Sequence, residues 1–226
     1  MSRLHVFDMD GTLLRGTTAS LEIARRLGCL PDLIRLETEF ATGTVDTRAF
    51  AARICLLWRE LTYDVVADVF ARAPWIGGLA EVFEDIRRRG ERSIVVTMSP
   101  DFFADGLRAF GADDVVASRF PALPLRTGPD PQAILTPADK VTIVHRARAA
   151  LGLHQDQCVA YGDSASDLPL FRELTHTVAV NADRTLAGLA RHRYDGDDLR
   201  VAYRIARVRP PSAPDGPSRV RPKERQ

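Results

Sequence analysis

The apolar run Leu4-His5-Val6-Phe7 stops at Asp8, and Asp8-Met9-Asp10-Gly11-Thr12 then sets two carboxylates two residues apart beside a turn-forming glycine. Taken alone, this segment suits a plain turn as well as a site. It does not suit a calcium loop of the EF-hand type. Counted from Asp8, such a loop needs an oxygen ligand where Thr12 stands, which can serve, and a glutamate where Ala19 stands, which cannot. Other chemistry-bearing side chains recur farther along. Thr97 ends the run Ile94-Val95-Val96, with Ser99 two residues on, and Gly162-Asp163-Ser164-Ala165-Ser166-Asp167 is an acidic loop after Cys158-Val159-Ala160-Tyr161. Lys140 stands out by composition, because 29 of the 31 basic residues are arginine and Lys223 is the other lysine. A compact ammonium kept where guanidinium is the rule marks a position that wants a point charge.

The elements that must carry these residues are short apolar strands separated by amphipathic helices. Strands are expected at 4–7, 93–96, 115–117, 158–161 and 177–180. Leu79, Val82, Phe83 and Ile86 share one helix face that stops at Gly90, another helix starts near Asp101, and a third covers 141–151. This alternation predicts an α/β fold, a doubly wound parallel sheet covered on both faces, whose ligands bind at the carboxyl ends of the strands. Asp8, Asp10, Thr97, Asp163 and Asp167 all fall at those ends. From Thr17 to Trp75 the pattern is helical and without a convincing strand, so a small all-helical insertion follows the first strand. The expected organisation is a core of 1–14 and 76–208, an insertion of 15–75 and a Pro- and Arg-rich, disordered tail of 209–226, which has too few apolar residues to offset its ordering entropy. Residues 119–136, rich in Pro and Gly, read as irregular chain, and Gly77-Gly78 as a turn or hinge leaving the insertion.

These motifs in this order resemble the haloacid dehalogenase superfamily: Phe7-Asp8-Met9-Asp10-Gly11-Thr12-Leu13, then Ile94-Val95-Val96-Thr97, then Lys140 opening a helix, then Gly162-Asp163 to Asp167. The resemblance spans about residues 4 to 190. Within the superfamily, the early helical insertion and Thr97-Met98-Ser99-Pro100-Asp101-Phe102-Phe103 look most like the phosphoserine-phosphatase-like branch.

The resemblance implies a Rossmann-like core and a Mg²⁺-dependent phosphatase acting on a small phosphate monoester through an aspartyl-phosphate. It makes Asp8 the nucleophile and Asp10 the acid that protonates the leaving alkoxide and later takes a proton from water. Thr97 then hydrogen-bonds a phosphoryl oxygen, with Ser99 second for that role. The metal set implied is Asp8, the Asp10 carbonyl, Asp163 and Asp167, the last also orienting a water or the lysine. The physical need is plain: an anionic ester resists an anionic nucleophile, so Mg²⁺ and Lys140 must neutralise charge while Asp8 is held in line. The second acid, Asp10, argues against dehalogenation. The implied alternatives are a phosphotransferase or mutase of the superfamily and a non-catalytic metabolite-binding scaffold.

Specificity is expected in the insertion. In phosphoserine phosphatases a glutamate just after the first motif reads the substrate ammonium and an arginine reads its carboxylate. Arg53 matches the arginine, while the glutamate position falls on Thr17 or Thr18, and Glu22 is a turn farther on. Phosphoserine is therefore not the expected substrate. Composition bounds the rest. A formal net charge of +1 on 226 residues argues against binding nucleic acid or anionic lipid over the whole surface. No apolar run long enough for a membrane span is present, and no signal segment is read at the start, so the expected location is cytoplasmic. Cys29, Cys55 and Cys158 lack disulfide or zinc spacing and read as small buried hydrophobes, and the five histidines form no metal-spaced pair. The oligomeric state is not legible.

Overall fold

A computed structural model describes residues 2–207. The expected tail therefore lies outside the described residues. Strand β1 (Leu4–Phe7) is followed by two short paired segments, β2 (Asp10–Gly11) and β3 (Leu14–Arg15), and then by four helices, α1 (Ala19–Leu27), α2 (Leu30–Ala41), α3 (Thr47–Leu57) and α4 (Tyr63–Arg72). Helix α5 (Leu79–Arg88), β4 (Arg92–Pro100), α6 (Asp101–Ala104), β5 (Asp114–Ser118), α7 (Pro137–Ala150) and β6 (Cys158–Gly162) come next. The described residues end in α8 (Leu168–Glu173), β7 (His176–Val180), α9 (Arg184–Leu189), β8 (His192–Tyr194) and α10 (Leu199–Ile205).

Six strands form one parallel sheet in the order β5-β4-β1-β6-β7-β8. The chain winds outward from β1 through β4 to β5, crosses back by α7, and winds outward again from β6. The order reverses beside β1, and a parallel sheet offers its crevice at such a reversal. Each central strand alternates its side chains between two cores. Phe7, Val95, Tyr161 and Val178 point to one face, under Val82 and Phe83 of α5, Phe103 of α6 and Ala202 of α10. Leu4, Val6, Ile94, Val96 and Ala160 point to the other, under Val144 of α7, Leu170 and Phe171 of α8 and Leu186 of α9. Both faces being apolar, β1 shows no polar alternation and is buried along its whole length. Phe7 stacks on Tyr161 at 4.4 Å between ring centroids and meets the edge of Phe83 at 5.4 Å, which pins β1 between its neighbours.

The first of these cores continues without a break into α1–α4, where Ile23, Leu33, Ile54 and the fully buried Trp58 join it. The two chain segments linking the helices to the sheet run side by side: Ile76 N–H donates to the Leu13 carbonyl at 2.8 Å and Arg15 N–H to that of Pro74 at 3.0 Å. Strand β4 is longer than the apolar run Ile94–Val96 suggests. It continues through Thr97 and Ser99 to Pro100, with a register shift against β5 after Val96. Its polar end was legible only as a strand terminus, because those residues serve the crevice instead of the core. Strand β8 and the helices α8, α9 and α10 were not expected from the sequence pattern.

Candidate active site

Asp8 follows β1 directly, its N–H donating to the Tyr161 carbonyl at 2.9 Å and so extending the ladder by one bond. The carboxylate is buried. Lys140 reaches it from α7, donating from Nζ to Asp8 Oδ1 at 2.6 Å, to Asp167 Oδ1 at 2.7 Å and to Ser166 Oγ at 3.3 Å. Helix α7 aims the lysine by a firm start. Pro137 opens it, and the Thr136 N–H and hydroxyl both donate to the Asp139 carboxylate, at 2.8 and 2.7 Å. Lys140 and Val144, one turn apart, are the helix's buried residues, so the lysine occupies a row that packing would give to an apolar side chain. Burial opposes its charge, but Asp167 and Asp8 outweigh that and hold its pKa above the ordinary value.

The loop after β6 adds Asp163 and Asp167. Asp8, Asp163 and Asp167 each offer a carboxylate oxygen, and these oxygens lie within 4.8 Å of one another. Two glycines make room for them. A Cβ on Gly11 would sit 2.1 Å from Asp163 Oδ2, and one on Gly162 would sit 2.5 Å from Asp167 Oδ2; Gly11 also has φ +77°. Burial, then the charge of Asp167, drives the Asp8 carboxyl well above its usual range and Asp163 up to about 7. Hard oxygen donors, crowded together beside one ammonium and lodged against two glycines, fit a small divalent cation such as Mg²⁺.

Asp10 is held differently. Its Oδ1 accepts from the Ala19 N–H of α1 at 2.7 Å, and its Oδ2 accepts from Ser99 Oγ at 2.6 Å and Thr97 Oγ1 at 3.4 Å. The two-residue period of β4 sets both hydroxyls on one side. Burial raises the Asp10 pKa, with the hydrogen bond from Ser99 foremost among the opposing influences. Thr97 Oγ1 also accepts the Ser99 N–H at 3.1 Å, so both hydroxyls, expected on a phosphoryl oxygen, face the second acid in this structure.

A cavity of about 450 Å³ opens over Asp8, Asp10, Thr97, Ser99 and Lys140. Its far walls come from α2 and α3 and from Phe120 and Ile134. Helix α3 contributes Thr47, Phe50, Ala51 and Ile54, a stripe at i, i+3, i+4 and i+7. Arg53 is off that stripe. Contrary to the expectation that it reads a substrate carboxylate, it is half exposed, bonds Glu39 of α2, and borders a separate surface dent with Asp32 and Arg35. Of the two threonines, Thr18 lines the cavity while its side chain caps α1 by accepting the Leu21 N–H at 3.1 Å. Thr17 is buried away from the cavity, donating to Glu22 at 2.7 Å and accepting from Arg25 at 3.0 Å, and these bonds also turn Glu22 from the site. The acid that the helical insertion places on the cavity wall is Glu37, and Asp183, just before α9, is also on the lining. The sequence carried a signal for Glu37: Leu33, Leu36 and Phe40 form a stripe on α2 that it interrupts at i+4 from Leu33.

A parallel sheet with a carboxylate nucleophile candidate, a second acid and a buried lysine at its reversal point defines a hydrolase-type site. The family model for haloacid dehalogenase-like hydrolases matches residues 5–172. The chain is 28% identical to the phosphoserine phosphatase SerB1 of Mycobacterium tuberculosis over 92% of its own length and 74% of the relative's. It is 24% identical to a phosphoserine phosphatase of Methanocaldococcus jannaschii, over 88% and 94% respectively. A substrate-bound phosphoserine phosphatase structure superposes with a TM-score of 0.76 at 21% identity, covering 91% of this chain and 98% of that one. The chain belongs to the haloacid dehalogenase-like hydrolases, is phosphoserine-phosphatase-like within them, and is a phosphoric monoester hydrolase by class. Among the described residues no helix is long and apolar enough to cross a membrane.

Proposed function

We propose that this chain hydrolyses a small organic phosphate monoester in a Mg²⁺-dependent reaction that passes through a phosphoaspartate on Asp8. The observation that carries the reading is the contrast between the two acids: Asp8 is gripped by Lys140 beside Asp163 and Asp167, whereas Asp10 faces the same cavity from hydroxyl and amide donors. In the first step an Asp8 oxygen attacks phosphorus, the ester P–O bond breaks, and Asp10 gives its proton to the departing alkoxide. In the second, water attacks the same phosphorus and loses a proton to Asp10. The P–O bond to Asp8 then breaks, releasing inorganic phosphate and restoring the carboxylate. Splitting one displacement into two lowers each barrier, and the raised pKa of Asp10 suits a group that must give and take a proton.

Lys140 holds Asp8 in place and offsets phosphoryl charge, Asp167 orients the lysine, and Thr97 exchanges its long contact to Asp10 for a phosphoryl oxygen. Asp8, Asp163 and the Asp10 carbonyl would hold the cation, which when bound would supply further charge neutralisation at the phosphoryl group. The helices of 15–75 act as a cap that encloses the ester and excludes water. The test is turnover of an aryl phosphate with and without Mg²⁺. Wild type should need the metal and Asp8→Asn should show no turnover, while Asp163→Asn should weaken Mg²⁺ binding by about 10-fold or more in a direct calorimetric titration. Metal-independent turnover, or a fully active Asp8→Asn protein, would overturn the reading.

A further inference from the structure

The cavity wall built by α2 and α3 is apolar but for Thr47 and one acid. Phe40 of α2 and Phe50 of α3 meet there with ring centroids 5.2 Å apart, with Ile54 and Phe120 beside them. Glu37 lies one turn before Phe40 on the same wall, half buried, and among the described residues its carboxylate has neither a hydrogen-bond nor an ion-pair partner. Burial pushes its pKa up and the nearby charge of Asp10 adds to that, with Arg25 the opposing charge.

Among the described residues, the one cation on the lining is already engaged. Lys140 is the basic residue on the lining and its ammonium is shared between Asp8 and Asp167. Arg25 is paired with Glu22, and Arg53 with Glu39 outside the cavity. A carboxylate on the alcohol half of a substrate would therefore enter beside Glu37 and Asp10 with no guanidinium among the described residues of the lining to receive it. An ammonium there would meet the opposite situation, an unpaired carboxylate with aromatic faces around it, and both attract a cation, the more so where water is thinned out.

We propose that the alcohol half of the substrate is a short, carboxylate-free chain bearing an ammonium group, read by Glu37 with Phe40 and Phe50 beside it. This rests on the phosphatase reading above and narrows it to phosphate esters of amino alcohols. Glu37 is a specificity residue: it acts on the part of the ester that does not react, so its effect falls on the choice between esters.

The experiment compares kcat/KM of the Mg²⁺-loaded protein for phosphoethanolamine, its neutral isostere propyl phosphate, O-phosphoserine and an aryl phosphate. Wild type should favour phosphoethanolamine over propyl phosphate by about tenfold, the worth of one partly desolvated charge contact, and over O-phosphoserine by more. Glu37→Gln should bring the amine-to-neutral ratio near one, and Glu37→Asp should restore part of it. Because both esters are measured on one preparation, the ratio does not depend on the fraction of variant that folds. Equal use of the amine and neutral esters by wild type, or a preference for O-phosphoserine, would overturn the inference and leave the phosphatase reading standing. An amine preference that survives in Glu37→Gln would overturn the assignment to Glu37. Failure of wild type to cleave every ester, the aryl phosphate included, would overturn the phosphatase reading and this inference with it.

Discussion

Asp8 and Asp10 are two residues apart, yet the fold gives them different company. Asp8 takes the lysine, and Asp10 takes an amide and two hydroxyls. The Lys140 ammonium pulls the Asp8 pKa down against burial and the neighbouring carboxylates, as a group that must attack as an anion requires, whereas the hydrogen bonds to Asp10 come from neutral donors. The assignment of roles follows, and it makes a prediction that depends on the leaving group. An aryloxide departs without a proton and an alkoxide does not. Asp10→Asn should therefore slow formation of the phosphoenzyme from an alkyl phosphate by about 10²–10⁴-fold while changing it little for an aryl phosphate. With the aryl ester the phosphoenzyme should accumulate, since no base remains to activate water. Rapid-quench measurement of the burst checks both points, and equal slowing for the two esters would reassign the proton.

Helix phase decides which residues of α2 and α3 reach that chemistry. On α3 the cavity takes Thr47, Phe50, Ala51 and Ile54, and Arg53, one residue before Ile54, is carried about 100° around the helix onto Glu39. An exposed pair of this kind contributes little to stability. Arg53→Ala should accordingly leave stability almost unchanged, and KM for the best ester should change by less than about twofold; a severalfold rise in KM would return the arginine to the site. The same phase argument shows what was legible in the chain. The carboxylates at 8, 10, 163 and 167 and the lysine at 140 could be picked out because each stands at the end of an apolar run or alone among arginines. Five of the six strands of the sheet were legible for the same reason, as short apolar runs. Strand β8 was not, because His192-Arg193-Tyr194 is a three-residue edge with no apolar run to betray it, and α8, α9 and α10 are too short for a helical period to emerge. Arg53 was chosen by register alone, and register says nothing about which way a helix faces. Glu37 was passed over although it breaks an apolar stripe, and a polar residue within such a stripe is the mark of a wall that faces a cavity.

Across the molecule, β1 joins two buried polar clusters at opposite ends. Beyond Phe7 stand the reacting acids, and three residues before Asp8 the fully buried His5 accepts at Nδ1 from the Tyr161 hydroxyl at 3.1 Å and donates from Nε2 to Glu91 at 2.9 Å. Arg207 completes the second cluster by binding Glu91 and the Tyr203 hydroxyl, which itself donates to Asp85 at 2.9 Å. Burial lowers the His5 pKa below the ordinary 6.5, so the folded chain keeps the ring neutral where the unfolded chain protonates it. Burial also works against the Glu91 charge, but the hydrogen bonds from His5 and Arg207 outweigh it and hold the carboxyl at about 2, below its ordinary 4.5. Both groups bind fewer protons folded than unfolded, so both lend stability that is lost on acidification, His5 from about 6.5 downward and Glu91 from about 4.5 toward 2. Removing the Glu91 charge leaves buried partners short of an acceptor, and Glu91→Gln should cost about 1–3 kcal/mol at neutral pH. The cost should shrink as the pH falls below about 4.5, where the unfolded wild type takes up the proton that the folded cluster refuses. Urea melts of both proteins across pH with Mg²⁺ saturating, so that the carboxylates beyond Phe7 contribute equally to each, would measure that difference. A gap that stays constant down to pH about 3 would mean that Glu91 does not carry the charge on which this end of the sheet is built.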